Sequence, residues 1–298
     1  MGFTRCGIAA SNAPPAGENY FEEMIGEGFH AGMGYLARNI HGRFSPDSLL
    51  PGCKSVIVCL YHYKTATEMT GRYRVARYAR LTDYHSFLKE KLEKLAADIH
   101  SGRPDMDYRI TVDSSPLTEK NWAVKAGLGS IGKNSLFRSK EGSFCLIGTI
   151  LTQWELEPDT EEPVECGECT LCMDACPQKA IVTPYRVDAN RCLSYINTEK
   201  KNPDEGIPSC SPWIFGCDIC QEVCPHNRNT YENPDVMNHF SLFLHFQDKD
   251  FEMLTAEQFD LYFKGTPLER RKFGRVYQEI QRVKKLLENS SADITEKS

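Results

Sequence analysis

The stretch Cys166-Gly-Glu-Cys169-Thr-Leu-Cys172-Met-Asp-Ala-Cys176-Pro177 has the C-x2-C-x2-C-x3-C-P spacing of bacterial iron–sulfur proteins. Two-residue gaps let three thiolates converge on three corners of one cubane, and the proline sends the fourth cysteine towards a different cluster. A second, partial copy follows as Cys217-Asp-Ile-Cys220-Gln-Glu-Val-Cys224-Pro225, but isoleucine occupies its first ligand position at residue 214. The sequence therefore predicts two [4Fe–4S] clusters, with an eighth cysteine supplied from outside the two motifs.

The two motifs favour a crossed assignment of ligands to clusters. One cluster is predicted to bind Cys166, Cys169, Cys172 and Cys224. The other is predicted to bind Cys176, Cys217, Cys220 and one of two isolated cysteines, Cys192 or Cys210. A zinc site would need two CxxC pairs with tetrahedral closure and no eighth thiolate. A disulfide framework is not expected in a chain without a secretory signal, so two clusters are the preferred interpretation.

The length and composition are those of an ordinary globular chain. The 298 residues suggest about two domains, and the chain is 41% hydrophobic and 26% charged. No apolar run approaches the ~18 residues of a membrane helix, and the N-terminus lacks the hydrophobic core of a signal peptide. The sequence therefore predicts a cytoplasmic protein that does not enter a membrane.

The charge distribution is uneven. The net charge of −6 argues against a general polyanion-binding protein. Residues 72–80 and 270–285 are nonetheless basic, and a local positive field can bind a defined nucleic acid. Charge alone leaves two interpretations open for both stretches, namely phosphate contacts or solvated helix faces.

The apolar pattern predicts an α+β protein. Runs at 55–61 and 144–152 indicate buried strands, and residues 108–113 alternate like a strand. Helices are predicted from a cap at Thr82 or Asp83 to an end at Ser101-Gly102, at 117–126 and at 269–287. An acidic stretch at 155–165 is predicted to be a linker. The predicted domains are an N-terminal α/β domain (1–155), a cluster domain (156–235) and a helical C-terminal segment (236–298).

Two features of the first half suggest chemistry. Asp113 ends a predicted strand, where open α/β sheets place functional groups, although it could instead cap the following helix. A carboxylic acid that donates a proton near neutrality needs its pKa raised by burial. The glycine-rich segment 127–134 departs from the Walker register and suits either a large polar cofactor or a plain turn.

Five segments carry a family resemblance: Arg77-Tyr-Ala-Arg-Leu-Thr-Asp-Tyr-His85, Val112-Asp-Ser-Ser-Pro-Leu, Ala126-Gly-Leu-Gly-Ser-Ile-Gly-Lys-Asn, Cys192-Leu-Ser-Tyr and Gly216-Cys-Asp-Ile-Cys-Gln-Glu-Val-Cys-Pro225. Together they resemble the tRNA epoxyqueuosine reductases, from about residue 7 to residue 281. The chain is also similar, more distantly, to the reductive dehalogenases. Compared with longer family members, it is expected to have a short first helix and to lack C-terminal helical repeats.

The resemblance implies an oxidoreductase that reduces epoxyqueuosine to queuosine at the wobble position of tRNA, the last step of queuosine biosynthesis. It implies base-off cob(II)alamin next to a ferredoxin-like domain with two [4Fe–4S] clusters. The implied partners are tRNA carrying epoxyqueuosine in its anticodon and a low-potential electron donor that the sequence does not identify. A monomer is expected.

The resemblance also implies roles for individual residues. Cys192 becomes the eighth cluster ligand, because Cys-Leu-Ser-Tyr matches the family's ligand motif. Asp113 falls on the family's catalytic acid, which would protonate the departing oxygen. Ala76 stands where some members have a cysteine. The implied cofactor contacts are Arg43, Ala76, Asp113, Lys133, Asn134, Phe137, Gly148, Cys217 and Asp218.

Two other functions are compatible with parts of the sequence. A related cobalamin reductase could act on a small molecule such as an organohalide, and an export signal would favour it. A ferredoxin-type electron carrier with an accessory domain would contain the clusters alone. The absence of a corrin absorption band after reconstitution with cobalamin would favour that carrier.

Overall fold

The computed structural model describes residues 1–102, 104–160, 165–201, 211–228 and 231–295, and side chains as far as residue 288. The alternative ligand Cys210 and part of the predicted linker at 155–165 lie outside the described residues. Among the helices that are described, none is long and apolar enough to cross a membrane.

The described residues form a mixed structure of strands and helices. The strands are β1 (Arg5–Ala10), β2 (Ser55–His62), β3 (Arg74–Val75), β4 (Tyr108–Thr111), β5 (Ser130–Ile131), β6 (Phe137–Arg138), β7 (Cys145–Thr152), β8 (Ile181–Thr183), β9 (Arg186–Val187) and β10 (Trp213–Phe215). The helices are α1 (Glu18–Gly26), α2 (Ile40–Phe44), α3 (Tyr84–His100), α4 (Glu119–Lys125), α5 (Leu171–Ala175), α6 (Leu193–Thr198), α7 (Ile219–Glu222), α8 (Asp248–Glu252), α9 (Ala256–Tyr262) and α10 (Lys272–Thr295).

The N-terminal part is built on a four-stranded sheet in the order β1-β2-β7-β4. All three of its pairings are antiparallel, with Cys59 opposite both Cys6 and Gly148. The predicted α/β domain is therefore wrong in its sheet type. Since the strands do not run parallel, Asp113 does not owe its position to the carboxyl edge of a parallel sheet.

Helices cover both faces of this sheet. Leu88 and Leu92 of α3 are buried against one face, and Trp122 of α4 is buried against the other. Every residue of β2 is buried, which explains why this strand reads as a continuous apolar run. Helix α3 begins where predicted, because the Asp83 side chain accepts a hydrogen bond from the backbone N–H of His85.

The chain turns sharply between β4 and α4. The predicted strand at 108–113 ends at Thr111, and Asp113 has a left-handed backbone with φ of 52°. The N–H of Ser114 donates to the carbonyl of Val112 at 2.5 Å, which closes a tight turn around Asp113. The turn lifts the Asp113 side chain towards the start of α3.

The C-terminal segment shares one hydrophobic core with earlier parts of the chain. Val276, Ile280 and Val283 of α10 are buried together with Tyr73 and with Ile214 of β10. Strand β10 also pairs in parallel with β3. The segment therefore packs against both the N-terminal part and the cysteine-rich part.

Candidate active site and cluster ligands

Four cysteines surround a small cavity of about 40 Å³: Cys166, Cys169, Cys172 and Cys224. Lys133 also lies at this cavity, where its backbone N–H donates to the sulfur of Cys166 at 3.4 Å. Its ammonium donates to the carbonyls of Gly167 and Cys169, at 2.7 and 3.0 Å. The lysine thus fixes the loop that presents the first two cysteines.

A second set of four cysteines lines a larger cavity: Cys176, Cys192, Cys217 and Cys220. The two sets correspond to the crossed assignment, with Cys192 in the position that the sequence left open between Cys192 and Cys210. The backbone N–H of Ala180 donates to the sulfur of Cys176 at 3.3 Å. No set of three or more His, Cys, Asp or Glu side chains among the described residues is placed to hold a single metal ion.

The crossing follows from the backbone at the two Cys-Pro steps. Cys176 ends α5 in an extended conformation (φ −65°, ψ 110°), and Cys224 is extended in the same way (φ −70°, ψ 124°). A proline disfavours helical backbone in the residue before it. Each of these cysteines therefore leaves the helical turn of its own motif and reaches the other set.

The larger cavity separates the N-terminal sheet from the second set of cysteines. It has a volume of about 570 Å³, and Cys145 and Ile147 of β7 form part of its wall on the sheet side. A neighbouring cavity of about 680 Å³ shares five of its lining residues: Met33, Lys120, Ser135, Val187 and Ala189. The space between sheet and cysteines is therefore open and is large enough for a sizeable organic ligand.

The predicted cofactor contacts lie in different places. Asn134, Phe137, Cys217 and Asp218 line the 570 Å³ cavity. Lys133 lines the smaller cavity instead. Arg43 is buried, and its Nε atom has no hydrogen-bond partner among the described residues. Its carbonyl accepts hydrogen bonds from the backbone and hydroxyl of Thr118.

Gly148 and Ala76, like Arg43 and Lys133, do not line the 570 Å³ cavity. Gly148 belongs to the face of β7 that packs on α3, where a Cβ would come within 2.6 Å of Leu92. Ala76 is buried beneath Gly216, and a Cβ on that glycine would approach the Ala76 side chain to 2.4 Å. Alternation along β7 explains the first case, because Gly148 faces away from Ile147. Neither residue lines a described cavity.

A polar cluster at the start of α3 surrounds Asp113. Its Oδ2 atom accepts hydrogen bonds from the hydroxyl of Tyr84 at 2.9 Å and from Nε2 of His85 at 3.0 Å. Nδ1 of His85 lies 2.7 Å from Oδ1 of Asp83. The ring of Tyr84 packs edge-on against Tyr78, which lines the 570 Å³ cavity, with centroids 6.2 Å apart. The cluster therefore adjoins the cavity.

The proton of this cluster resides on histidine. Hydrogen bonds to Asp113 and then Asp83 raise the pKa of His85 to about 9. The hydrogen bond from His85 lowers the pKa of Asp113, against the opposing effect of burial. Asp113 alone therefore lacks the raised pKa that a carboxylic acid needs to donate a proton near neutrality. At neutral pH the imidazolium carries the proton and the carboxylate accepts it.

Glu119 contacts the Asp113 turn, and the sequence did not single it out. Its Oε1 atom accepts the backbone N–H of Asp113 at 2.9 Å. Burial, with a further contribution from the Asp113 charge, raises the pKa of Glu119 to about 8. The available signal was a glutamate in the first turn of the helix that follows the Asp113 turn.

The basic stretch at 72–80 is largely neutralised within the fold. Arg72 pairs with Asp248, while Arg77 and Arg80 are buried and pair with Glu68. Within the fold, these three arginines therefore already have carboxylate partners. In the second stretch, Arg275 and Arg282 both pair with Glu279.

Arg270 differs from these paired arginines. It is exposed, and its positive charge lowers the pKa values of both Asp83 and Asp113. The turn that carries it is fixed to the start of α3, since the backbone N–H of Asp83 donates to the carbonyl of Gly265 at 2.6 Å. Arg270 thus places a cation beside the polar cluster.

The fold and site define a class of iron–sulfur protein, in which a mixed sheet-and-helix part precedes a double-cluster domain. A family model described as "4Fe-4S double cluster binding domain" matches residues 165–227. A second, "Epoxyqueuosine reductase QueG, DUF1730", matches residues 43–114. The chain belongs to the epoxyqueuosine reductase family.

Curated relatives and solved structures support this family assignment. The epoxyqueuosine reductase of Leadbetterella byssophila is 37% identical over 291 residues, which cover 96% of this chain and 95% of the relative. The structure of the epoxyqueuosine reductase from Streptococcus thermophilus matches with a TM-score of 0.87 at 28% identity, covering 99% of this chain and 80% of that one. A crystal structure of epoxyqueuosine reductase with an epoxyqueuosine-modified tRNA-Tyr stem loop matches with a TM-score of 0.81 at 26% identity, covering 94% and 77%.

Proposed function

We propose that this protein reduces epoxyqueuosine to queuosine at the wobble position of tRNA. The observation that carries the proposal is the 570 Å³ cavity, which has the second set of cysteines on one wall and Tyr78, a neighbour of the Asp113 cluster, on another. A ligand-sized space would thus have a redox centre on one wall, with a proton source separated from another wall by the side chain of Tyr78. The substrate named for the tRNA-bound relative supports the choice of tRNA.

The cysteine sets fit two [4Fe–4S] clusters. Cys166, Cys169, Cys172 and Cys224 would hold one cluster, and Cys176, Cys192, Cys217 and Cys220 would hold the other. Four thiolates in each set are the complement that such a cluster requires. We also propose that the boundaries of the cluster domain lie at residues 155 and 235.

We propose that the cavity holds cobalamin, bound without its lower base. The two adjoining cavities together offer room for a large, partly apolar group, and both are bordered by polar side chains. Nδ1 of His30, which lines the 680 Å³ cavity, is buried without a partner among the described residues. Asn134, Phe137 and Asp218 would contact the cofactor from the 570 Å³ cavity. When bound, cobalamin would supply the reductive chemistry that the side chains cannot perform.

The protein's own residues would deliver the protons. Removing the epoxide oxygen as water consumes two electrons and two protons; the clusters would supply the electrons, His85 one proton and solvent the other. Asp113 would pass a proton from His85 to the departing oxygen, and Tyr84 would hold the carboxylate in place through its hydroxyl. Arg270 would contact phosphate near the reacting nucleoside, and the base would leave the anticodon stack to enter the cavity.

The proposal also covers the oligomeric state, the compartment and the electron donor. We expect a monomer that acts in the cytoplasm and receives electrons from a low-potential donor. The donor would deliver single electrons to the clusters, which pass them towards the cavity.

Anaerobic reconstitution tests the proposal. The protein is loaded with iron, sulfide and cobalamin, mixed with a chemical reductant and tRNA carrying epoxyqueuosine, and the nucleosides are analysed by mass spectrometry. Queuosine should appear, and Asp113→Ala should slow its formation by about 100-fold or more, as expected for loss of a general acid. Asp105→Ala, which removes an exposed carboxylate before β4, is the matched control. Intact epoxyqueuosine with fully loaded protein would refute the proposed function.

A further inference from the structure

The backbone of Asp113 has a conformation that most residues avoid. Its φ of 52° lies in the left-handed region, which residues with a Cβ rarely occupy. The Ser114-to-Val112 hydrogen bond closes the turn on only one side. A return to ordinary φ would redirect the side chain and separate its carboxylate from Tyr84 and His85.

Glu119 supplies the other side of this restraint. Its Oε1 atom accepts the N–H of Asp113 at 2.9 Å and the hydroxyl of Thr111 at 3.2 Å. The hydroxyl of Thr111 lies 2.7 Å from that of Thr149, which belongs to β7. Both threonines are fully buried. One carboxyl oxygen therefore connects the Asp113 turn to the rigid centre of the sheet.

No ion pair accounts for a glutamate at this position. Among the described residues, no lysine or arginine lies within ion-pair distance of Glu119, and the charged groups that influence it are Asp113 and His85. A half-buried carboxyl beside another carboxylate is unfavourable unless its hydrogen bonds compensate. Its two acceptor contacts are thus its evident contribution to this site.

We propose that Glu119 is a positioning residue, which holds the Asp113 turn so that the carboxylate of Asp113 meets His85 and Tyr84. The expected effect of Glu119 on turnover rests on the proposed function. Its expected effect on the position of Asp113 does not. Glutamine can accept the same two hydrogen bonds, whereas alanine and methionine cannot. Methionine also fills nearly the same volume, which separates loss of the acceptor from creation of a cavity.

The test combines kinetics and crystallography on the reconstituted full chain. Glu119→Ala and Glu119→Met should lower kcat about 10- to 100-fold while the KM for tRNA changes less than about twofold. Glu119→Gln should recover most of that loss. Glu257→Ala, which removes an exposed glutamate from the first turn of α9, is the matched control and should behave as the wild type.

The crystal structures test whether Glu119 positions Asp113, independently of turnover. In Glu119→Met, Asp113 should leave its positive φ and lose its contact with His85. If Asp113 keeps both in Glu119→Met, or if Glu119→Gln is as slow as Glu119→Ala, the inference is overturned. Should the wild type convert no epoxyqueuosine, the proposed function fails, and the position of Asp113 in Glu119→Met still supports or overturns the inference. If Glu119→Ala does not fold, Glu119→Met alone provides both readouts.

Discussion

Nε2 of His85 lies 3.0 Å from Oδ2 of Asp113, and this contact determines where the exchangeable proton of the site is held. Because the pKa of His85 is raised and that of Asp113 is lowered, the neutral-pH form is an imidazolium–carboxylate pair. The pair stores a proton next to the cavity without requiring a neutral aspartic acid.

The pair predicts an alkaline limit to turnover. A raised histidine pKa means that the stabilising interaction is fully present below the ordinary value near 6.5 and is lost as the pH rises through about 9. Turnover should fall over the same range. Asp113→Asn should return the His85 pKa towards 6.5, as followed by the NMR shift of its imidazole Cε1–H. A wild-type His85 that titrates near 6.5 would contradict the pairing.

The crossed cysteine sets predict the iron content of single variants. Cys172→Ser and Cys192→Ser should each lose about half of the bound iron, because each removes a ligand from a different cluster. Cys53→Ser, a half-buried cysteine outside both sets, should keep all of it. Iron analysis and EPR of the reduced proteins would check this. Full iron in Cys192→Ser would rule out Cys192 as the eighth ligand.

The different environments of two arginines predict different effects on tRNA binding. Arg270→Gln should weaken binding and reduce the slope of log K against log salt by about 0.7 to 1, the loss of one phosphate contact. Arg72→Gln should leave the slope unchanged, because Arg72 already pairs with Asp248. Fluorescence anisotropy with a labelled anticodon stem loop at several salt concentrations measures both. Equal slopes for Arg270→Gln and the wild type would exclude the contact.

The close approach of Gly216 to Ala76 predicts a large effect on stability. Gly216 has φ of 67°, and an added Cβ would meet the Ala76 side chain at 2.4 Å. Gly216→Ala should lower the free energy of unfolding by about 1–3 kcal/mol. Gly274→Ala in α10, where nothing lies within 4 Å, should raise it by about 0.5–1 kcal/mol. Denaturant unfolding of both variants gives the comparison, and equal stabilities would contradict it.

Much of the site could be predicted from the sequence because its signals are local. The Cys-Pro steps at Cys176 and Cys224 specify the crossing through backbone preferences of adjacent residues. The continuous apolar run predicts the buried strand β2 for a similar reason. The strand end singled out Asp113, whereas family resemblance assigned its role as acid and chose Cys192 over Cys210.

The remaining features depend on contacts between distant residues. The direction of β7 against β2 is set by tertiary pairing, so the sequence could not specify the antiparallel sheet or the face on which Gly148 lies. The pairing of Arg80 with Glu68 requires two side chains from separate turns, so a basic stretch in sequence became a neutral one in the fold. Glu119 acts through a backbone N–H, which leaves no composition signal.

The central claim is that a corrinoid binds between β7 and the second set of cysteines. Anomalous diffraction from anaerobic crystals of the reconstituted protein, collected at the cobalt and iron edges, tests it directly. The predicted result is one cobalt peak inside the 570 Å³ cavity bordered by Ile147 and Cys217, with iron peaks at the two cysteine sets. Cobalt elsewhere, or a cavity filled by side chains with no cobalt bound, would contradict the claim.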